Sequence, residues 1–382
     1  MKQEYAYWIA LAHLPKLKTA RKNELIVRFF EEKLSIIDFF HCEVSEWKAK
    51  FSMTENEINI LNEAKNELAN YSFLVEDLME QGYDIIPITS PEYSPIMKNN
   101  LKRAYSPPLI YTKGNKQIMK ENSIAIVGSR KAEDISLEFT DSVAKKASKD
   151  YKVVVSGFAK GVDKQALDSA IKYKGQSIIV LPQGITTFQS GFKKYYRQIV
   201  DGDVLVLSTF FPKAPWSVQL AMGRNPIIYG LAKEIYVAES SDTGGTWSGV
   251  IDGIRKGRSI YVRIPLSSEK NANNLLIQKG AIPVDNIGNK IDEYEISHIE
   301  EAAVNDPEST CNETESIDAK ILKLLSSGAF TSKEIIDRLK IDWPSRKLTN
   351  FLKQDKNIES LNNKTPIKFI AKSQKNLQQS LF

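Results

Sequence analysis

Apolar residues recur at helical spacing through the first 80 residues, at Leu25, Ile26, Phe29 and Phe30 and again at Ile58, Leu61, Ala64 and Leu68, on charged backgrounds. A small helical domain is predicted over 1–80. From Tyr83 the pattern shortens: Asp84 to Thr89 is a strand, a Ser/Pro-rich run a loop, and Leu109 to Thr112 a second strand leading into a core that spans 81–291. Short apolar runs then alternate with helical stretches, at Ile124–Val127, Val153–Val155, Ile178–Leu181, Val204–Leu207, Ile235–Val237 and Ile260–Val262. Near-continuous Val/Ile runs separated by helices predict a doubly wound parallel sheet covered on both faces, joined by right-handed crossovers.

From Asp292 to Glu315 every charged residue is acidic, which predicts an acidic linker over 292–315. Beyond it lysines and arginines outnumber acids, and the pattern is helix, turn, helix, turn, helix and two short extended pieces. Thr331 and Glu334 form a capping box for the second of these helices, and Pro344 precedes the third. A winged helix over 316–372 is predicted, followed by a tail at 373–382, with Arg346, Lys347 and Asn350 as candidate DNA contacts on its third helix. Winged helices also serve as protein-docking modules, so this pattern leaves both uses open.

At 382 residues, 42% hydrophobic and 26% charged, the chain belongs among multidomain globular proteins, with no fibrous or disordered bias. No signal peptide is predicted, and no apolar run is long enough to span a bilayer, so a cytoplasmic protein without membrane association is expected. Cys42 and Cys311 give neither a disulfide framework nor metal spacing, and His13, His41 and His298 do not cluster with acids, so no metal or cofactor is expected. A net charge of +5 neither demands nor excludes nucleic acid.

Two loops carry the candidate chemistry. Gly128-Ser129-Arg130-Lys131 follows the first strand of the core and precedes a helix, where ligands bind in open α/β sheets. Ser156-Gly157-Phe158-Ala159-Lys160-Gly161-Val162-Asp163 follows the second: its glycines free backbone amides for an anion at a helix N-terminus, and Lys160 adds a charge. It is neither a P-loop nor a dinucleotide fingerprint. Asp163 is either a ligand contact or a helix cap.

These residues closely resemble the DNA-processing protein A (DprA/Smf) family, whose core reads approximately V-G-T-R and then V-V-S-G-L-A-R-G-I-D. Gly223-Arg224-Asn225-Pro226-Ile227-Ile228-Tyr229-Gly230-Leu231 is similar to the family's R-N-R-I-I-A-G-L, and Pro107 to Gly114 resembles its lead-in segment. The resemblance covers most of the chain, including a SAM-like helical start and the winged-helix end. It implies a Rossmann-like, non-catalytic homodimer that holds single-stranded DNA in a basic pocket and helps load a RecA-type recombinase. By matching positions it makes Arg130, Lys160, Arg224 and Asn225, with the backbone of Gly128, Gly157 and Gly161, the pocket candidates; Phe158, Tyr229 and Trp247 are core residues or stacking surfaces.

The chain departs from this pattern in three places. Leu167 stands where the family has His, Pro226 where it has the second Arg, and the segment after Gly184 lacks the usual Tyr-Pro. A third loop, Asp242-Thr243-Gly244-Gly245-Thr246-Trp247, is similar to the Gly-Gly-x-Gly-Thr loop of lysine-decarboxylase-like nucleotide phosphoribohydrolases, but the Glu those enzymes place after it is absent; Glu239 and Asp252 are the acids left as candidates for that role. Sequence thus leaves three roles: single-stranded DNA binding in recombination and natural transformation, nucleotide sensing, or a partner of a toxin or effector protein in phage defence.

Overall fold

Helices fill the amino-terminal region because short apolar stripes are punctuated by strong caps. They are α1 (Lys2–Ala12), α2 (Thr19–Glu31), α3 (Ile36–His41), α4 (Val44–Phe51), α5 (Glu55–Asn66) and α6 (Leu68–Glu80). Reciprocal capping boxes start two of them, Ser35 with Asp38 at α3 and Thr54 with Glu57 at α5. Glu57 also takes a two-pronged contact from Arg21, at 2.8 and 3.1 Å, which fastens the start of α5 to α2. The computed structural model describes residues 2–292, 294, 317–339, 345–354, 358–360 and 367–371. The chain divides into two units, 1–299 and 300–382.

After α6 come β1 (Asp84–Pro87), α7 (Pro95–Tyr105), β2 (Leu109–Lys113), β3 (Ser123–Val127), α8 (Asp134–Lys149), β4 (Val153–Ser156), α9 (Val162–Lys172) and β5 (Ser177–Val180). They are followed by α10 (Gln189–Lys194), α11 (Tyr196–Val200), β6 (Val204–Ser208), α12 (Val218–Leu231), β7 (Glu234–Val237), α13 (Gly244–Arg255), β8 (Ser259–Arg263), α14 (Asn273–Gln278) and β9 (Ile282–Val284). All nine strands form one sheet in the order β1-β2-β6-β5-β4-β3-β7-β8-β9. From β6 to β9 every pairing is parallel. The Rossmann-like α/β expectation is met.

The lead-in strands are more than a connector. β2 pairs antiparallel with β6, through Tyr111–Ser208, Thr112–Leu207 and Lys113–Val206, and β1 pairs antiparallel with β2, so both extend the core sheet at one edge. At the other edge β9, too short and too Pro-interrupted for its apolar pattern to stand out, adds a further parallel strand.

Strand side chains alternate between the two faces. Ile124, Ile126 and Val154 pack under α8 and α9. On the same face the amino-terminal helices continue the layer over Ile179, Val206, Tyr111 and Ile85. The intervening positions, among them Ala125, Val127, Val155, Val180 and Leu207, face α7, α12 and α13.

The second unit comprises α15 (Ile317–Leu325), β10 (Phe330–Thr331), α16 (Ser332–Leu339), α17 (Ser345–Gln354), β11 (Ile358–Ser360) and β12 (Lys368–Ala371), with an antiparallel sheet in the order β10-β12-β11. Ile321, Leu325, Ile335, Leu348, Leu352, Ile358 and Phe369 form its core. The Thr331–Glu334 capping box is present: Glu334 accepts from the Thr331 amide at 2.7 Å, and Thr331 accepts from the Glu334 amide at 3.3 Å. Most of the 292–315 segment, Pro344, the tail from 372 and the side chains of Arg346, Lys347 and Asn350 lie outside the described residues. Among the described residues no helix is long and apolar enough to cross a membrane.

One polar contact ties the helical layer to the sheet. His13 Nε2 lies 2.9 Å from the Tyr111 hydroxyl, and the two rings stack with centroids 5.9 Å apart. Burial, with Lys22 nearby, holds the imidazole pKa down at about 3. Between that value and the usual 6.5 the unfolded chain therefore binds a proton that folded His13 refuses, and stability falls as pH falls. Urea unfolding at steps from pH 6.5 to 4.5 is expected to show a steeper loss for wild type than for His13→Gln, by up to about 1.4 kcal/mol per pH unit.

Candidate functional site

The parallel sheet grows in opposite directions from β3: the chain passes to β4, β5 and β6 on one side and returns to β7 and β8 on the other. Such a reversal leaves a crevice at the carboxyl ends of the two central strands, because their outgoing loops diverge to opposite faces. A cavity of about 460 Å³ occupies this place. Its lining comes from the β3 loop, from the β7 loop and the start of α13, from a face of α12, and from Ala159 and Asp163 where the β4 loop enters α9.

The β3 and β7 loops are held to each other. The Ser129 amide donates to the Glu239 carbonyl at 3.0 Å, and the Thr246 hydroxyl donates to the Gly128 carbonyl at 3.2 Å. The Glu239 carboxylate accepts from the Glu133 amide at 3.0 Å and from Ser136 Oγ at 2.9 Å, which anchors the start of α8. Behind this lies the fully buried Arg263, ion-paired with Glu269 and donating to Ser136 at 2.9 Å and to the Ala238 carbonyl at 3.0 Å. Asn273 completes the frame, accepting from the Ser240 amide at 3.0 Å. Asp252 pairs instead with Lys256 at 2.7 Å, so Glu239 and Asp252 are both engaged in structural contacts, while Asp242, at the start of the third loop, is exposed.

Thr243 precedes α13 without making a side-chain cap, and Gly244, at φ +87°, has nothing within 4 Å of the place a Cβ would take. The first amides of α13 therefore open onto the cavity with the positive end of the helix dipole behind them. Arg130 and Lys131, both exposed, add two cationic side chains from the opposite loop. This combination suits a phosphate or another anion.

Beneath it lies a buried ion pair. Arg224 on α12 and Asp163 at the start of α9 approach to 3.7 Å, each almost fully buried. Burial raises the Asp163 pKa and lowers that of Arg224, each shift opposed by the partner's charge, while the Gly157 and Ala159 amides also favour the Asp163 carboxylate. Arg224 Nη1 donates to the Val180 carbonyl at 3.3 Å; its Nε has no protein partner, nor has the hydroxyl of Tyr229, a second cavity-lining residue. Asp163 is thus a loop-holding residue that turns the Gly157 and Ala159 amides inward, rather than a simple cap.

The cavity brings together Gly128, Ser129, Arg130, Lys131, Asp163, Arg224, Asn225, Thr243, Gly244, Gly245 and Thr246. Four other candidates lie outside its lining. Ser156 is buried and donates to the Ile126 and Asp163 carbonyls. Gly161, at φ +76°, packs on the β3 loop, where a Cβ would stand 2.4 Å from the Ser129 carbonyl. Gly157 lies over Arg224, and Lys160 is exposed. Phe158 packs edge-on against Phe188 at 5.0 Å, Tyr229 is buried and Trp247 packs on the core, so all three follow the core reading.

Sequence reasoning missed Ser240 and Ser241, which their place just past a strand end could have flagged, and Val218, Ala221 and Met222 of α12, which carried no chemical signal. Leu167 is buried in the core on the helical-layer face. Pro226 lines a smaller adjoining cavity of about 190 Å³. Neither departure removes a group from the lining of the main cavity.

Fold and cavity define a Rossmann-like α/β protein with an anion-suited crevice at the switch point of its sheet. The family model for DNA recombination-mediator protein A matches residues 84–295, and the chain belongs to that family. It is 31% identical over 180 residues to DNA processing protein DprA of Streptococcus pneumoniae, an alignment covering 46% of this chain and 63% of that protein. To DprA of Bacillus subtilis it is 30% identical over 188 residues, covering 48% and 61%. The chain thus spans about three-fifths of the curated relatives it matches. The crystal structure of the pneumococcal DprA shares the fold, with a TM-score of 0.56 at 23% identity over 74% of this chain and 94% of that one.

The place a Cβ on Gly157 would take lies 1.2 Å from Arg224 Nη1 and 2.2 Å from its Cζ, so any side chain there must expel the guanidinium from its pairing with Asp163. Gly157→Ala is expected to destabilise the protein by about 2–3 kcal/mol in urea unfolding, the range of a severe overpacking change.

Proposed function

We propose that the protein holds single-stranded DNA through the switch-point cavity and acts in DNA processing and recombination by presenting that strand rather than by catalysing a reaction on it. The observation that carries this reading is the convergence of Arg130, Lys131 and the uncapped amides of α13 on one cavity. Backbone phosphates are neutralised by Arg130 and Lys131 and positioned by the loop amides. The buried Arg224–Asp163 pair supports the loop from below. Family membership supports the DNA-processing role, and with it the loading of a RecA-type recombinase by a homodimer. Glu239, held by Glu133 and Ser136, and Asp252, paired with Lys256, are both engaged in structural contacts, which favours binding over hydrolysis by either of them. The element order of the second unit favours a winged helix, and the sequence alone makes Arg346, Lys347 and Asn350 its candidate DNA contacts.

Fluorescence anisotropy with single-stranded and duplex oligonucleotides across a salt series tests the reading. Affinity for single strands is expected to fall steeply with salt. Arg130→Ala should weaken it about tenfold at low salt and reduce the log–log salt slope by about one, uniformly across sequences. Wild-type binding that is absent, or unchanged in Arg130→Ala, sinks the proposal.

A further inference from the structure

Lys160, which the resemblance assigned to the pocket, belongs to a different surface. It sits in the β4 loop beside the cavity, since Gly161 next to it packs so closely on the β3 loop that a Cβ there would stand 2.9 Å from the Arg130 backbone. Lys164, near the start of α9, pairs with Asp168, whose carboxylate also accepts from the Tyr195 hydroxyl between α10 and α11 at 2.9 Å. Lys194 lies over the Tyr195 ring at 4.9 Å, so the two lysines flank one tyrosine and share the neighbourhood of one carboxylate, which leaves an excess of positive charge.

From there the surface continues along α10 and α11, which issue from the carboxyl end of β5, the same edge of the sheet as the cavity. The segment Gln189–Val200 contains no acid. Lys193, Tyr196, Arg197 and Val200 recur at three- and four-residue spacing and are all exposed. Tyr196 leaves 66% of its surface open, whereas its neighbour Tyr195 is buried. Among the described residues, Lys160, Lys193 and Arg197 pair with no carboxylate. The β4 loop is seated against this segment by Phe158, held at φ +62° with its ring edge-on to Phe188 at 5.0 Å and to Tyr195 at 5.7 Å.

We infer that this face is a track for single-stranded DNA leaving the cavity, in which Lys160, Lys193 and Arg197, with Lys164 and Lys194 beside them, follow the phosphates and Tyr196 stacks on a base. Cations in excess of acids, interleaved with an exposed ring, are what a flexible, unpaired polyanion with exposed base faces requires. A duplex, whose bases are already stacked, gains nothing from Tyr196. The track rests on the cavity reading and adds several nucleotides to the site.

Oligothymidylates of about 4 and about 20 nucleotides separate the two, because only the longer reaches beyond the cavity. Wild type is expected to bind the longer strand at least tenfold more tightly, beyond the statistical gain from its greater length. Tyr196→Ala and Lys193→Glu/Arg197→Glu should erase that excess and leave the short strand unaffected, while Tyr196→Phe restores it; Arg130→Ala should weaken both lengths. Long-strand binding by the α10–α11 variants equal to wild type overturns the track and leaves the cavity standing. Failure of wild type to bind either length overturns both. The substituted side chains are exposed, and unchanged thermal unfolding of the variants shows that the fold is intact.

Discussion

The reversal of strand order at β3 is the constraint on which the rest depends. A strand whose neighbours are reached in opposite directions cannot have both adjoining loops cover the same end of the sheet, so a crevice opens between β3 and β7. Three elements meet at that point: the Arg130–Lys131 turn from one strand, the start of α13 from the other, and α12 as the wall. The crevice is prefabricated by topology; the chain's own residues decide what it holds.

Keeping it open requires charge below as well as around it. Arg224 and Asp163 are too buried to act as surface charges, and each would be costly alone. Together they fix the second loop from inside: the guanidinium takes the space that Gly157 leaves empty, and the carboxylate draws in the Gly157 and Ala159 amides. The Gly157 and Ala159 amides, engaged with the buried carboxylate, are not free to cradle a phosphate. The anion-facing work therefore passes to the β3 loop and α13, and Lys160 is left outside, on the α9–α11 face.

The sheet was legible because parallel strands buried on both faces need continuous apolar runs, and Val153–Val155 or Val204–Leu207 admit few other readings. The lead-in strands were visible as strands but not as sheet members, since nothing in Leu109–Thr112 specifies an antiparallel partner as remote in sequence as β6. Glycines and basic residues after strands pointed to the right loops. What sequence could not reveal was the direction of each amide: Gly157 and Gly128 look alike in a motif, and only the buried pair beneath the second loop distinguishes them. The wall of α12 was equally hidden, because Val218, Ala221 and Met222 carry no chemistry until the topology puts them beside the cavity.

The departures from the family pattern gain meaning from their positions. Leu167, in place of a polar histidine, is buried on α9 among core residues that include Ile179 and Leu181, so the substitution strengthens the contact between the helical layer and the sheet. Pro226 interrupts α12 without an amide to offer the Met222 carbonyl, in a residue that lines both the main cavity and its neighbour. With Arg130 and Lys131 in the lining and neither position 167 nor position 226 among the residues that form it, the two departures leave the charge of the main cavity as the other residues set it.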